Sequence, residues 1–176
     1  MTSRSTALSR AMTLASVLFA GPLLPASLAA QEGIQPGDTP APVVVETLGG
    51  EEVDLARWIG ETPVLVEFWA TWCAVCRALE PTIAAAHARF GDRVEFLVIA
   101  VAVAQTTDAV ALHLQRHPQP GRVLWDARGE AVRAFDAPGT GVIFILNADG
   151  TVAYTGAGGD QDIEGALSAV VSPGTN

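Results

Sequence analysis

Between Val64 and Pro81 the chain changes its hydrophobic period, and its only two cysteines stand at the change. The stretch reads "VLVEFWATWCAVCRALEP". Its first part, within Pro63–Ala70, is apolar at successive positions except Glu67, as expected of a strand covered on both faces. From Cys73 onward, Val75, Leu79, Ile83, Ala86 and Phe90 recur at steps of three or four, which marks one face of a helix. Gly91-Asp92 ends that helix, and Pro81 inside it removes one backbone donor and should kink it. A buried strand that turns directly into a helix requires layers of helix packed on sheet.

The remaining pattern repeats that unit. Val43–Thr47 is a short strand, followed by a turn at Gly49-Gly50 and a short helix near Leu55–Ile59. Val94–Val103 is a nearly continuous apolar run, as in a central parallel strand. Thr106 or Thr107 can cap a helix reaching about His117, closed by "HPQPG". Val123-Leu124-Trp125 is a further strand, and Glu130–Phe135 a short helix. Val142–Leu146 and Thr151–Thr155 flank the turn Asn147–Gly150 as a hairpin. Asp160 caps a last helix with Ile163, Leu167 and Val170/Val171 on its apolar face. The order predicts an α/β sandwich with a mixed central sheet flanked by helices.

The length of 176 residues suits one domain, and 49% hydrophobic content allows a packed core. The formal charge of −9 argues against nucleic acid or an anionic membrane surface as partner. The first residues read as an export leader. Arg4 and Arg10 precede the apolar run Ala11–Leu24, which is too short to span a bilayer comfortably. Small residues at Ser27-Leu28-Ala29 place the cut after Ala29, with Ala30 as the alternative; an uncleaved N-terminal anchor is the competing reading. The expected organisation is a signal peptide at 1–29, a Pro/Gly-rich linker at 30–42, one domain at 43–172 and a tail at 173–176. Export to the periplasm or another extracytoplasmic space would place the cysteines where a disulfide can persist.

Several roles for Cys73 and Cys76 can be weighed on physics. A bridge over so short a loop is a weak staple, contributing about 2 kcal/mol through loop entropy. Zinc needs four ligands, and the three histidines are remote in sequence. Covalent haem attachment needs a histidine after the second cysteine, where Arg77 stands. Redox chemistry fits best. A helix N-terminus offers free N–H groups and positive potential, which favour the thiolate. Cys73 is then the nucleophile, and Cys76, one turn deeper, resolves the mixed disulfide. Glu67 lies between Val66 and Phe68. If buried, its pKa should rise, so that it could exchange a proton with Cys76 near neutral pH; an edge residue facing water is the alternative.

"EFWATWCAVCRALEP" resembles the active-site segment of the thioredoxin superfamily, with Pro81 at the family's helix proline and Glu67 where thioredoxins carry a buried aspartate. The similarity runs over roughly residues 43–171 and is greatest to the TlpA/ResA-like branch of exported thiol–disulfide oxidoreductases. It implies a thioredoxin-like sandwich with an extra αβ insert. It also implies a protein thiol or disulfide as substrate, a membrane or periplasmic redox partner, a monomer, and no cofactor or resident metal. Three positions depart from the family pattern. Gly141, after Thr140, occupies the place of the family's cis-proline, so Thr140 and Gly141 are the expected substrate-facing loop, and a proline restored there should be accommodated. Val75 replaces the usual proline before the second cysteine. Leu79 stands where many members carry a glutamate, with Glu80 one step later.

Trp72, beside Cys73, is expected to be partly exposed as a substrate platform, and Trp69 and Trp125 to lie in the core. His113 and His117 have a spacing that could hold a metal, but no carboxylate accompanies them at that step and a solvated helix face is the simpler reading. The glycine-rich stretch 155–163 lacks a phosphate-loop lysine and reads as turn and cap. Two other classes of function stay open at this level: a thioredoxin-like copper- or metal-handling module, and a binding domain that has lost redox turnover.

Overall fold

Strands with no polar face need cover on both sides, and in the computed structural model, which describes residues 33–171, helices and loops supply it. The strands are β1 (Val44–Glu46), β2 (Glu52–Asp54), β3 (Val64–Trp69), β4 (Glu95–Val101), β5 (Arg122–Asp126), β6 (Val142–Leu146) and β7 (Val152–Ala157). The helices are α1 (Ala74–Phe90), α2 (Thr107–Leu114), α3 (Glu130–Ala134) and α4 (Ile163–Val171). One seven-stranded sheet has the order β2-β1-β5-β4-β3-β6-β7. β3, β4 and β5 run parallel, and β6 pairs antiparallel with β3. This is the mixed α/β sandwich that the order of elements predicts.

Alternation along β3 sorts its side chains between two layers. Val64, Val66 and Phe68 belong to one layer, where Phe68, Phe135 and Phe144 meet edge to face at centroid distances of 5.1–5.8 Å. Such pairs contribute about 0.5–1.5 kcal/mol each beyond their buried area. Leu65 faces the other layer, against Leu79, Ile83 and Phe90 of α1 and Ile163 and Leu167 of α4. By the same alternation Glu67 points toward the α1 side. Trp69 and Trp125 are buried.

Several boundaries differ from expectation for local reasons. β2 has only three residues with a single buried side chain, Val53, too little pattern to read. The expected helix near Leu55–Ile59 is a 3-10 turn, Leu55–Arg57, started by the Asp54 carboxylate accepting from the Ala56 N–H. Thr106 caps α2, but the helix stops at Leu114 ahead of Pro118. Asp162, not Asp160, caps α4, accepting from the Gly165 N–H at 2.9 Å. α1 continues through Pro81, and its buried stripe contains Cys76 in place of Val75, which is 38% exposed.

Part of the stretch read as a linker lies against the domain. Ile34 donates to the Phe135 carbonyl, Gly37 to Val152, and Val152 to Asp38. The leader and the tail lie outside the described residues. No helix among the described residues is long and apolar enough to cross a membrane.

Candidate active site

Where β3 ends, the chain makes one tight turn before α1 begins. The Cys73 N–H donates to the Ala70 carbonyl at 3.0 Å, which brings the cysteine to the helix start. Cys73 is the N-cap residue of α1, with extended backbone, and its sulfur accepts the N–H of Cys76 at 3.0 Å. A sulfur in that place takes the hydrogen bond and the positive potential that stabilise a thiolate. Cys73 and Cys76 are joined as a disulfide. Cys76 is fully buried, its sulfur 3.9 Å from the Phe68 carbonyl, whereas Cys73 keeps 4% of its surface exposed. The two cysteines are therefore unequal: the less deeply buried one is also the one at the helix N-terminus.

Glu67 is 1% exposed, and neither carboxylate oxygen has a hydrogen-bond partner. Burial, and secondarily the negative charge of Glu80, raise its pKa from 4.5 to about 8. It therefore holds its proton at neutral pH. This is the buried alternative of the two that the sequence allows. Trp72 is 46% exposed beside Cys73, and its indole N–H donates to the Val103 carbonyl at 2.8 Å.

Gly141 stands next to the disulfide: a β-carbon there would lie 3.9 Å from the Cys73 sulfur. Half-buried Thr140 precedes it. The local backbone, however, overturns the expectation that proline would be accommodated. No peptide bond among the described residues is cis, and Gly141 has φ +77°. Proline is fixed near −65° and has no N–H, while the Gly141 N–H donates to the Phe68 carbonyl at 2.8 Å. Two of the departures from the family pattern prove to be neighbours. The space a side chain would take at Gly141 is filled by Val75, whose Cγ1 lies 2.6 Å from the ideal β-carbon position. A glycine and a β-branched residue thus complement each other over the sulfurs.

One residue that the sequence reading passed over holds this turn in place. Gln105 Oε1 accepts both the N–H and the hydroxyl of Thr71 at 2.9 Å, and its Nε2 donates to the Val101 carbonyl at 2.7 Å. Ala104, just before it, is in left-handed backbone with φ 53°, a conformation that costs a non-glycine residue about 1 kcal/mol or more. The β4–α2 loop thus clamps Thr71-Trp72, immediately before the cysteine. The available signal was positional: Gln105 follows directly on the apolar run of β4, and sites collect at the carboxyl ends of parallel strands.

Comparison with known proteins places this geometry in context. A profile of the family named Redoxin matches residues 35–170. The thiol-disulfide oxidoreductase ResA of Bacillus subtilis (strain 168) is 27% identical over 128 residues, covering 72% of this chain and 70% of that protein. A secreted disulfide oxidoreductase of Mycobacterium tuberculosis, homologous to E. coli DsbE, superimposes with a TM-score of 0.62 at 26% identity, over 72% of this chain and 95% of that one. A thiol:disulfide interchange protein of the thioredoxin family from Chlorobium tepidum TLS gives a TM-score of 0.64 at 23% identity, over 79% of this chain and 99% of that one.

Proposed function

Because the chain belongs to the redoxin family and folds as a thioredoxin-like domain, we propose that it is an exported thiol–disulfide oxidoreductase working through Cys73 and Cys76. The observation that carries this reading is the asymmetry of the pair: the Cys73 sulfur caps the N-terminus of α1 and its residue keeps 4% of its surface exposed, while Cys76 keeps none.

In the reducing direction the Cys73 thiolate attacks one sulfur of a substrate disulfide. A mixed disulfide forms, and the other substrate sulfur leaves as a thiolate. The ionised form of Glu67, the minor one at neutral pH, takes the proton of the Cys76 thiol. The Cys76 thiolate attacks the Cys73 sulfur, the second substrate thiolate leaves, and the enzyme disulfide closes. Two electrons pass to the substrate. The oxidising direction is the reverse. Trp72 and the Thr140-Gly141 loop adjoin Cys73 and are assigned to docking the substrate chain. The substrate is a protein thiol or disulfide, and a periplasmic or membrane partner resets the pair, with the protein acting as a monomer. The leader-like sequence before residue 30 supports the extracytoplasmic assignment. N-terminal sequencing of protein recovered from a periplasmic fraction should begin at Ala30; a chain starting at its first methionine in the cytosol would remove that assignment.

The reaction itself is tested on single variants. Cys73→Ser should abolish reduction of insulin. Cys76→Ser should accumulate mixed disulfides on Cys73. If alkylation of the reduced protein at mildly acidic pH labels Cys76 before Cys73, the roles are reversed.

A further inference from the structure

Glu67 poses a problem that its proposed role does not solve. A group that takes a proton from Cys76 must release it before the next cycle, yet Glu67 is sealed from solvent. Among the described residues three buried side-chain polar atoms lack a partner: both carboxylate oxygens of Glu67, and Nε2 of His113 on α2. Unpaired buried polar atoms are costly, and each calls for a physical reason.

These orphans belong to one region. Trp69 lies two residues beyond Glu67 on β3, hence on the same face, and its ring packs edge-on against the His113 ring at 5.4 Å. Glu80 sits one helical turn after Cys76, so the two share a face of α1. Glu80 is half-buried and accepts a hydrogen bond from Gln119 Nε2 at 3.2 Å. Its negative charge bears on both Glu67 and His113. His113 in turn stacks on exposed His117, with ring centroids 4.8 Å apart.

We propose that Glu80 and His113 form the proton exit of Glu67, carrying to solvent the proton that Glu67 takes from Cys76. This rests on the proposed role of Glu67 as the base for Cys76. The chemistry balances as a transfer of one proton. Protonated Glu67 gives it up to an entering water and becomes a carboxylate, water carries it past Glu80 and His113, which pass it outward, and bulk buffer receives it; no electron moves. The charges around the path suit this task. Burial, with His117, Arg77 and Arg116, holds His113 below the usual histidine range, while Glu80 opposes that shift. His113 is therefore neutral at neutral pH, able to accept a proton and release it. Around Glu67 the paired positions on β4 and β6 are Val98 and Ile143, so Glu80 of α1 supplies the neighbouring charge.

The test is the single-turnover resolution of a preformed mixed disulfide on Cys73, using the full chain at pH 6–9.5 in dilute buffer. His113→Ala should slow resolution about tenfold, and added imidazole should restore it. Glu80→Gln removes a like charge, so the rise of rate with pH should move to lower pH, alongside slower turnover in dilute buffer. A loss in His113→Ala that imidazole does not restore, or an unmoved profile in Glu80→Gln, overturns the exit. His113→Gln keeps a polar side chain without a titrating ring; it should behave as His113→Ala, and wild-type kinetics in it also overturn the exit. Failure of the underlying reading looks different: Glu67→Gln would itself resolve the mixed disulfide at the wild-type rate.

Discussion

Two carboxylates among the described residues are buried, and they live in opposite conditions. Asp126, at the end of β5, is 2% exposed and accepts the N–H groups of Ala131 and Val132 at 3.2 and 3.0 Å. It caps α3, whose own N-cap residue, Gly129, has no side chain to do so. Glu67, equally buried in β3, accepts nothing. Burial alone therefore does not mark a functional acid. The difference lies in satisfaction: a carboxylate that receives backbone N–H groups is part of the scaffold, and one left without them is pushed toward its neutral form and becomes a proton store.

The largest expected effect separates the two by stability against pH. Below 4.5 both the folded and the unfolded chain carry the Glu67 proton. Between 4.5 and about 8 the unfolded chain ionises while the folded chain does not, so stability falls as pH rises and levels off above the folded value. The loss amounts to about 4–5 kcal/mol at one pKa unit per 1.36 kcal/mol. Glu67→Gln has no such loss. Urea unfolding of the oxidised protein should show its advantage over the wild type growing by about 4 kcal/mol from pH 5 to pH 9, since part of the loss is already present at pH 5. A constant difference across that range would mean that Glu67 is not held neutral by the fold.

Next in size is a change that asks whether the lack of partners extends to the active-site backbone. It does not: the Gly141 N–H is bonded to Phe68, and the Gly141 carbonyl accepts from the Gly158 N–H. Gly141→Pro forces φ from +77° to about −65° and leaves the Phe68 carbonyl unpaired. It should cost on the order of 3 kcal/mol and lower exchange activity. Thermal unfolding and insulin reduction check this together; a variant as stable as the wild type would show that the loop has another low-energy form.

The contrast between these regions also explains what the sequence made legible. Cys73, Cys76 and Glu67 could be read because each breaks a strong local pattern, a strand or a helix stripe, at one position. The fold followed from the same periods. Gly141 could be placed beside the sulfurs but not given a conformation, since a glycine is compatible with either sign of φ and the choice is made by Phe68 and Val75 across the site. Gln105 was missed because the partner that ties it to the active-site turn, Thr71, lies 34 residues away. Asp126 was missed for the opposite reason: its partners are close in sequence, but an acid at the end of a strand reads as an ordinary turn residue. The short strand β2 carries too few side chains to show a period at all.

A smaller loss is expected at the satisfied carboxylate. Asp126→Ala leaves two N–H groups at the start of α3 without an acceptor and should cost about 2 kcal/mol, within the usual range for a lost cap or an orphaned buried donor. Chemical denaturation should find this cost. If it is absent, α3 is held by its apolar contacts, and the contrast with Glu67 loses its structural half.

The smallest expected effect is the most discriminating. Asp126→Asn keeps the shape of the side chain and one of its two acceptor oxygens, so one of the two cap bonds survives and the other N–H meets an NH2 group. Asp126 is on β5, with β4 between it and β3, and its carboxylate is occupied by the backbone of α3. Resolution of the Cys73 mixed disulfide in Asp126→Asn should therefore match the wild type in rate and in pH profile, while Glu67→Gln slows it. Measured side by side by stopped flow, the two amides test the distinction on chemistry and not on stability. Equal slowing in both would show that either buried carboxyl group in the sheet supports the exchange, so the effect would not belong to Glu67 in particular. Slowing confined to Glu67→Gln assigns the proton to the one buried carboxylate that the backbone leaves free.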